Sequence, residues 1–447
     1  MKKLIGALAL AAMVATSAFA EVSFGAWLCN LPTLIGSDGD GIKGGGVSNP
    51  WGGWRPARFG VNWTADDGKV GMIMGMAYDV GTGIVNFDAN EMWFKPIDQI
   101  KLHVGQMDNF NALRSDLCFG SWNWLRPNTA LAWGEGITFS QTSDAGLGLQ
   151  IFPLEGLQIF ASLPLATSLD RMDKVFGKGT VGAGYTIDGI GTIKAQFKGQ
   201  YDISQSAAVK AAGVGDYVKG DSVIEAGNAA SEDVMKLLGY TKVTTAITAK
   251  AAGDPYKKYG TFEAAFDLTA VDKLFATVGF AFTIADSDYW KGVKFAKVDD
   301  KNSTISFNNQ MKFALGASYG ITEAFKVSAD FAMFLYNSEQ KNGKDDSAKP
   351  SMSFGVGLDY AVSDALGLVA DVRMLMPNND IDPLMSFLVG ANYAIGSNGS
   401  LGLGFQAVMA LGDKAGAGSL PVVTAAKVDN ELKKFIFAVP IRASIWF

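Results

Sequence analysis

From Phe435 to Phe447 the chain alternates. Phe435, Phe437, Val439, Ile441, Ala443, Ile445 and Phe447 are apolar, and Arg442 and Ser444 fall between them. Successive side chains of a strand point to opposite faces, so this spacing predicts a strand with one apolar and one polar side. The pattern recurs at Phe325, Val327, Ala329, Phe331, Met333 and Leu335, with Lys326, Ser328 and Asp330 in the gaps. It recurs at Ile193, Ala195 and Phe197, interleaved with Lys194, Gln196, Lys198 and Gln200. Leu401, Leu403, Phe405, Ala407, Met409 and Leu411 form a further apolar face, here alternating with Gly402, Gly404 and Gln406. A soluble β-sandwich alternates as well. These stretches, however, run to about 10 residues or more, the length a tilted membrane strand needs. A second face of small and polar residues also suits a lumen better than a packed core.

Repeats punctuate the strands. Tyr319-Gly-Ile-Thr-Glu-Ala-Phe-Lys-Val-Ser-Ala-Asp330 matches Tyr360-Ala-Val-Ser-Asp-Ala-Leu-Gly-Leu-Val-Ala-Asp371, each a strand end, a tight turn and a returning strand. Looser copies begin at Trp63, Trp93, Phe152, Tyr185, Phe266 and Tyr393. An aromatic residue a few positions before each turn is how an interfacial girdle is written, because Trp and Tyr settle at headgroup level. Eight such turns imply 18 strands with both ends on one side, and 16 is the alternative. The two counts differ at Gly136 to Phe152, where Ser143 to Gly146 reads either as a kink or as another turn. The opposite ends carry the long polar segments, over residues 29–56, 107–134, 165–177, 203–257, 287–304, 338–349, 377–384 and 412–432. Only the connection near Gly81 to Gly83 is short. Inside the longest segment, Ser231 to Gly239 has a capping Ser, acidic first-turn residues and a terminal Gly, which predicts a short helix.

Composition narrows the class. Charged residues make up 18% of the 447, below the roughly 25% of soluble domains. With 53 Gly, 29 Phe, 12 Tyr and 10 Trp, the chain is too apolar to be disordered. A single His and two Cys cannot build a His cage or a Cys-rich zinc site, and no cofactor is expected. The balance of 38 Lys and Arg against 44 Asp and Glu argues against nucleic acid as a partner. Met1 to Ala20 reads as a secretory signal peptide: Lys2 and Lys3, a short apolar core over Leu4 to Ala15, then Ser17 to Ala20 with small-x-small spacing. Its removal takes two positive charges, so the formal charge moves from −6 to −8 and the exported chain starts at Glu21. Beyond Ala20 no uncharged apolar run of about 18 residues occurs, which excludes helical spans. Residues 21–447 are expected to form a single transmembrane antiparallel β-barrel.

The signal peptide, the repeated strand-turn units and the terminal Ile445-Trp446-Phe447 together resemble the porin family of Gram-negative outer membranes. The resemblance covers the exported chain and is architectural, with only the last strand motif-like. It implies an outer-membrane barrel in contact with lipid, recognised by the barrel-assembly machinery through Phe447 and commonly trimeric. It implies passive diffusion of small hydrophilic solutes or ions, with the third outer loop folded inward. By order in the chain that loop is 107–134, carrying Asp108, Arg114, Asp116 and Arg126 beside Trp122, Trp124 and Trp133. Mixed charges there would set a transverse field, and the aromatics would pin the loop to the wall; a surface lid would show similar residues. By alternation the basic lumen positions are Arg58, Lys101, Lys194, Lys198, Lys312, Lys326, Arg373 and Arg442. The acidic ones are Asp88, Glu263, Asp267, Asp330, Asp359 and Asp371. This mixture allows pairs such as Lys326 with Asp330, or Asp371 with Arg373, to neutralise each other across the interior.

Other function classes leave fewer marks. His103 shares the polar face with Lys101, but no nucleophile motif accompanies it, so a solvated lumen histidine is the simpler reading and an outer-membrane hydrolase the lesser one. Ser37 to Gly41 resembles part of a calcium loop whose later ligands are missing. An adhesin or receptor-like barrel, binding a partner through its long loops, stays open. Cys29 and Cys118 both fall in expected outer segments of an oxidising compartment. That placement favours a bridge between the first and third loops, closing about 90 residues and contributing on the order of 4 kcal/mol.

Overall fold

The structure is a computed structural model that describes residues 21–37, 41–44, 46–48, 57–79, 84–106, 145–165, 172–202, 212, 214–219, 222–244, 257–285, 290, 309–340, 349–376, 382–412, 427–428, 431–432 and 435–447. Eighteen long strands form one sheet. The first nine are β1 (Glu21–Ser37), β2 (Ala57–Thr64), β3 (Val70–Asp79), β4 (Ile84–Ile97), β5 (Ile100–Gln106), β6 (Ala145–Leu154), β7 (Leu157–Pro164), β8 (Thr180–Ile187) and β9 (Gly191–Asp202). The others are β10 (Lys257–Leu268), β11 (Leu274–Ala285), β12 (Asn309–Gly320), β13 (Phe325–Tyr336), β14 (Ser351–Ala361), β15 (Leu366–Met376), β16 (Leu384–Ile395), β17 (Gly399–Ala410) and β18 (Phe435–Trp446).

Each strand pairs antiparallel with its sequence neighbours, and β18 pairs with β1, closing the ring. Closure leaves no open sheet edge, a condition lipid imposes because it cannot bond to bare backbone groups. The sequence pattern predicts an outer segment that begins at residue 29. The structure divides β1 differently: Glu21 to Leu28 pairs with β2, and Trp27 to Ser37 pairs with β18 across a register shift between Thr33 and Ile35. The first outer segment therefore begins after Ser37, and two short strands, Ile42–Lys43 and Gly46–Ser48, fold back on β1.

All eight short turns fall where the repeats put them, so the strand number is 18. β6 starts at Ala145, so the 143–146 stretch contains no turn among its described residues. The girdle tyrosines Tyr185, Tyr319, Tyr360 and Tyr393 point outward at the turn end, 43 to 53% exposed. Trp93 is the exception: its register with inward His103 turns it inside, and Phe94 takes the outer position. The apolar sides of β13, β17 and β18 all face outward, while Ser328, Asp330, Gln406 and Ser444 are buried on the inner face. No described helix is long and apolar enough to cross a membrane.

Among the described residues two short α-helices lie between strands: α1 (Met172–Gly177), which precedes β8, and α2 (Glu232–Leu237) in the longest connection. There Tyr217–Lys219 pairs with Ser222–Ile224 and with Thr241–Lys242. Tyr217, Met235 and Val243 are buried in this small unit, and Lys219 Nζ donates to Leu238 O at 2.7 Å, satisfying the end of α2. Ser231 is the N-cap as the sequence predicts, but its side chain makes no capping bond.

Candidate functional site

Period-two register decides which side chains enter the interior, and it brings the alternation-derived residues of β2, β5, β9, β10 and β12 to β15, together with Arg442 on β18, to the inner face. Few stand as isolated charges. Lys194 Nζ lies 2.5 Å from Asp267 on β10, which also accepts from Thr277 Oγ1 at 2.7 Å. Gln196 donates to Glu263, on which Lys198 and Lys312 act electrostatically, and Lys312 Nζ sits 5.2 Å from the centre of the Phe334 ring. Lys326 and Asp359 stand directly opposite each other.

One group spans three strands. Arg373 on β15 donates through Nε to Asp371 at 2.9 Å, and its Nη2 lies 3.0 Å from Asp330 on β13. The intervening β14 offers Gly355 at that level, where a Cβ would meet Arg373 Cγ at 3.0 Å and Asp330 Oδ2 at 3.1 Å. Absence of a side chain on β14 is what lets the two partners meet. The sequence reading paired Lys326 with Asp330; the structure gives Asp330 to Arg373, and only the Asp371–Arg373 pair stands as read.

His103 is not a solvated lumen histidine. It is 3% exposed, with Nδ1 bonded to Glu91 on β4 and Nε2 2.9 Å from Gln150 Oε1 on β6. A carboxylate and an amide thus hold its two nitrogens from both neighbouring strands. Next to it Lys101 Nζ lies 4.4 Å from the centre of the Trp93 ring. Glu91 and Gln150 were missed in sequence, and Trp93 was read as an outward girdle residue. Alternation backward from Trp93 finds Glu91 on the same face, but the register of β3 with β4 shifts between Gly75 and Met76. Asp88 falls at that shift, so counting from either side does not carry across it.

Cys29 corrects another expectation. It lies within β1, not beyond it, is fully buried, and carries a free thiol. Its register partner is Ser444, and its side chain bonds to Arg442. A thiol buried on the inner wall under Arg442 makes no bridge between loops in this structure. Asp108, Arg114, Asp116, Cys118, Trp122, Trp124 and Arg126, with the whole 107–134 segment, lie outside the described residues, as does Met1 to Ala20. Among the described residues no cluster of three or more His, Cys, Asp or Glu could hold a metal ion.

Along the last strands the inner wall changes character. Leu384, Val408, Ala410, Ile436 and Ala438 face inward and are 0 to 7% exposed. That apolar arc is shielded from water.

The architecture is that of a closed 18-stranded barrel with an apolar exterior, the kind of protein that spans a membrane. Several solved structures are similar in fold at low identity. An anion-selective porin from Comamonas acidovorans is 12% identical, with 96% of this chain and 100% of that one covered and a TM-score of 0.48. A mutant form of Rh. blastica porin is 13% identical over 96% and 100%, with a TM-score of 0.42. A loop-deletion mutant of OmpT, an outer membrane protein of Vibrio cholerae, is 11% identical over 96% and 99%, with a TM-score of 0.43. No family model matches the chain, and no curated protein matches it.

Proposed function

We propose that this chain is an outer-membrane porin: an exported barrel, assembling as a trimer, through which small hydrophilic solutes or ions diffuse passively. The observation that carries the reading is the ring of 18 strands with a largely polar, charged inner wall. Rings of 16 to 18 strands are too wide for their own side chains to fill and leave an aqueous passage. Catalysis is not part of this reading, because His103 is held by Glu91 and Gln150 rather than by a hydroxyl. Residues 107–134 are assigned to a loop that folds inward and narrows the passage. The buried apolar arc at Val408, Ile436 and Ala438 supports this, since such a surface suits a packed aromatic segment better than water.

Reconstitution of the purified protein in planar bilayers tests the proposal through single-channel current and reversal potentials. Discrete ohmic channels are expected. Deleting part of 107–134 should raise conductance while the barrel stays folded, and neutralising Arg114 and Arg126 should move preference toward cations. Folded barrels that pass no current would end the porin reading and favour a loop-mediated binding role. Unchanged conductance and selectivity in the loop variants would place the loop outside the passage.

A further inference from the structure

At the turn end of the barrel the inner faces of β1 to β4 surround a recess of about 490 Å³, within the size range of small-molecule sites. Its floor is bare backbone, where Gly25 on β1 pairs with Gly60 on β2. These glycines are not demanded by local packing. A Cβ on Gly60 would meet nothing nearer than Met74 O at 3.8 Å, and one on Gly25 nothing nearer than Phe447 O at 3.6 Å. Both are ordinary contact distances, so a side chain would fit without strain and would fill the space. Elsewhere on the wall a missing Cβ makes room for a neighbour, as at Gly71 beneath Trp93 and Gly355 beneath Arg373. At Gly25 and Gly60 it leaves a hollow.

The rim of this hollow is chemically specific. Trp27, level with Arg58 on the next strand, and Trp93 from β4 supply two indoles. Arg58 supplies a planar guanidinium and Asn62 an amide. Lys101 beside Trp93 adds a second positive charge, partly offset by Glu91, which acts on Lys101 electrostatically and bonds to His103. The Arg58 guanidinium therefore offers a pairing group for a carboxylate, and indole faces favour the flat apolar face of a ring.

We propose that this recess is a binding site, within the channel, for an organic carboxylate that carries a ring. The ring lies over the glycine floor against Trp27 and Trp93, and the carboxylate pairs with the Arg58 fork, whose geometry matches it. Asn62 bonds to ring substituents. The assignment rests on the channel reading for the solute's access, and it places a selective step at the opposite end of the passage from the outer loops.

The test adds glucuronate, benzoate, glucose or acetate to the full-length protein in planar bilayers at constant salt. A saturable block of the salt current by glucuronate or benzoate is expected, and which of the two binds tighter identifies a sugar acid or an aromatic acid. Acetate lacks the ring and glucose lacks the charge, so each should bind at least about tenfold more weakly, the loss of one charge-assisted contact or one stacked face. Trp27→Ala and Arg58→Gln should weaken the block by a similar factor. Gly60→Leu should abolish it by filling the floor, with the salt current of the empty channel still present. Equal block by acetate and the ring carboxylates, or block that survives Gly60→Leu and Arg58→Gln, would overturn the site. If no variant conducts, calorimetric titration of the detergent-folded protein with the same four compounds decides the site separately from the channel: selective heat of binding supports it, and none refutes it.

Discussion

Arg373 reaches Asp330 over a strand that presents no side chain to it, and a substitution anywhere in that line should be felt. Both carboxylates are nearly inaccessible, so removing the guanidinium leaves two uncompensated charges side by side. Arg373→Leu should lower stability by about 3 kcal/mol, read as a shift in urea unfolding of the detergent-folded barrel. Lys326→Ala, at an exposed position, should lie within about 0.5 kcal/mol of the parent. Gly355→Val should resemble Arg373→Leu, because its side chain would occupy the path between the partners. If Gly355→Val left stability untouched, the bridge over β14 would carry no energy. Alternation in the sequence found Asp330, Asp371 and Arg373 as inward residues but not their pairing. Pairing depends on registers two strands apart and on where a glycine falls, and neither is a local property. The same reason hid the Glu91–His103–Gln150 group, whose members come from three strands.

At the level of elements, the seam between β1 and β18 is completed by the last residue. Phe447 accepts from Ala26 N and donates to Ala26 O, both at 3.0 Å. Deleting Phe447 removes this pair along with the terminal aromatic, so the heat-resistant fraction on unboiled gels should fall; an unchanged fraction would show that closure does not need it. The turn before β11 holds Lys273 at φ 60°, a conformation costly for a residue with a Cβ. Lys273→Gly should therefore stabilise the hairpin by about 0.5 kcal/mol, measured by the same unfolding assay. The small sheet around α2 should respond to pH. Lys242, and then Lys236, bonded to Glu232 hold its carboxyl below the usual range, and the same pair raises Lys242. A depressed carboxyl stabilises the folded form above its unfolded pKa and loses that contribution as pH falls through the folded value. A raised lysine loses its contribution as pH climbs through its folded value. Amide-exchange protection at residues 232–242, after correction for the intrinsic pH dependence of exchange, should thus be greatest at neutral pH and fall at both the acid and the alkaline end; Glu232→Gln should flatten this profile. Turns were legible because each aromatic-turn unit is a local signal. The extent of β1 was not, because its register shift breaks the period-two count and its polar residues read as loop, which is why Cys29 looked external.

For the molecule as a whole, eighteen strands could be counted from eight turns, since each turn is local and closure fixes the parity. What fills and lines the ring was less readable: the inward arc from Leu384 to Ala438 looks in sequence like one more lipid-facing pattern, and only register assigns it to the interior. The paired charges elsewhere on the inner wall have a consequence for anything that passes them. An ion close to Lys194 and Asp267, or to Arg373 between its two aspartates, meets opposite charges a few ångströms apart. Their fields cancel over a distance shorter than the roughly 10 Å over which salt screens at 0.1 M. Such a wall polarises what touches it but holds little mobile counter-ion of its own. Once Arg114 and Arg126 are neutralised, ion current should therefore track bulk salt almost in proportion down to dilute solution, instead of levelling off at the plateau that a lining of unpaired charges maintains.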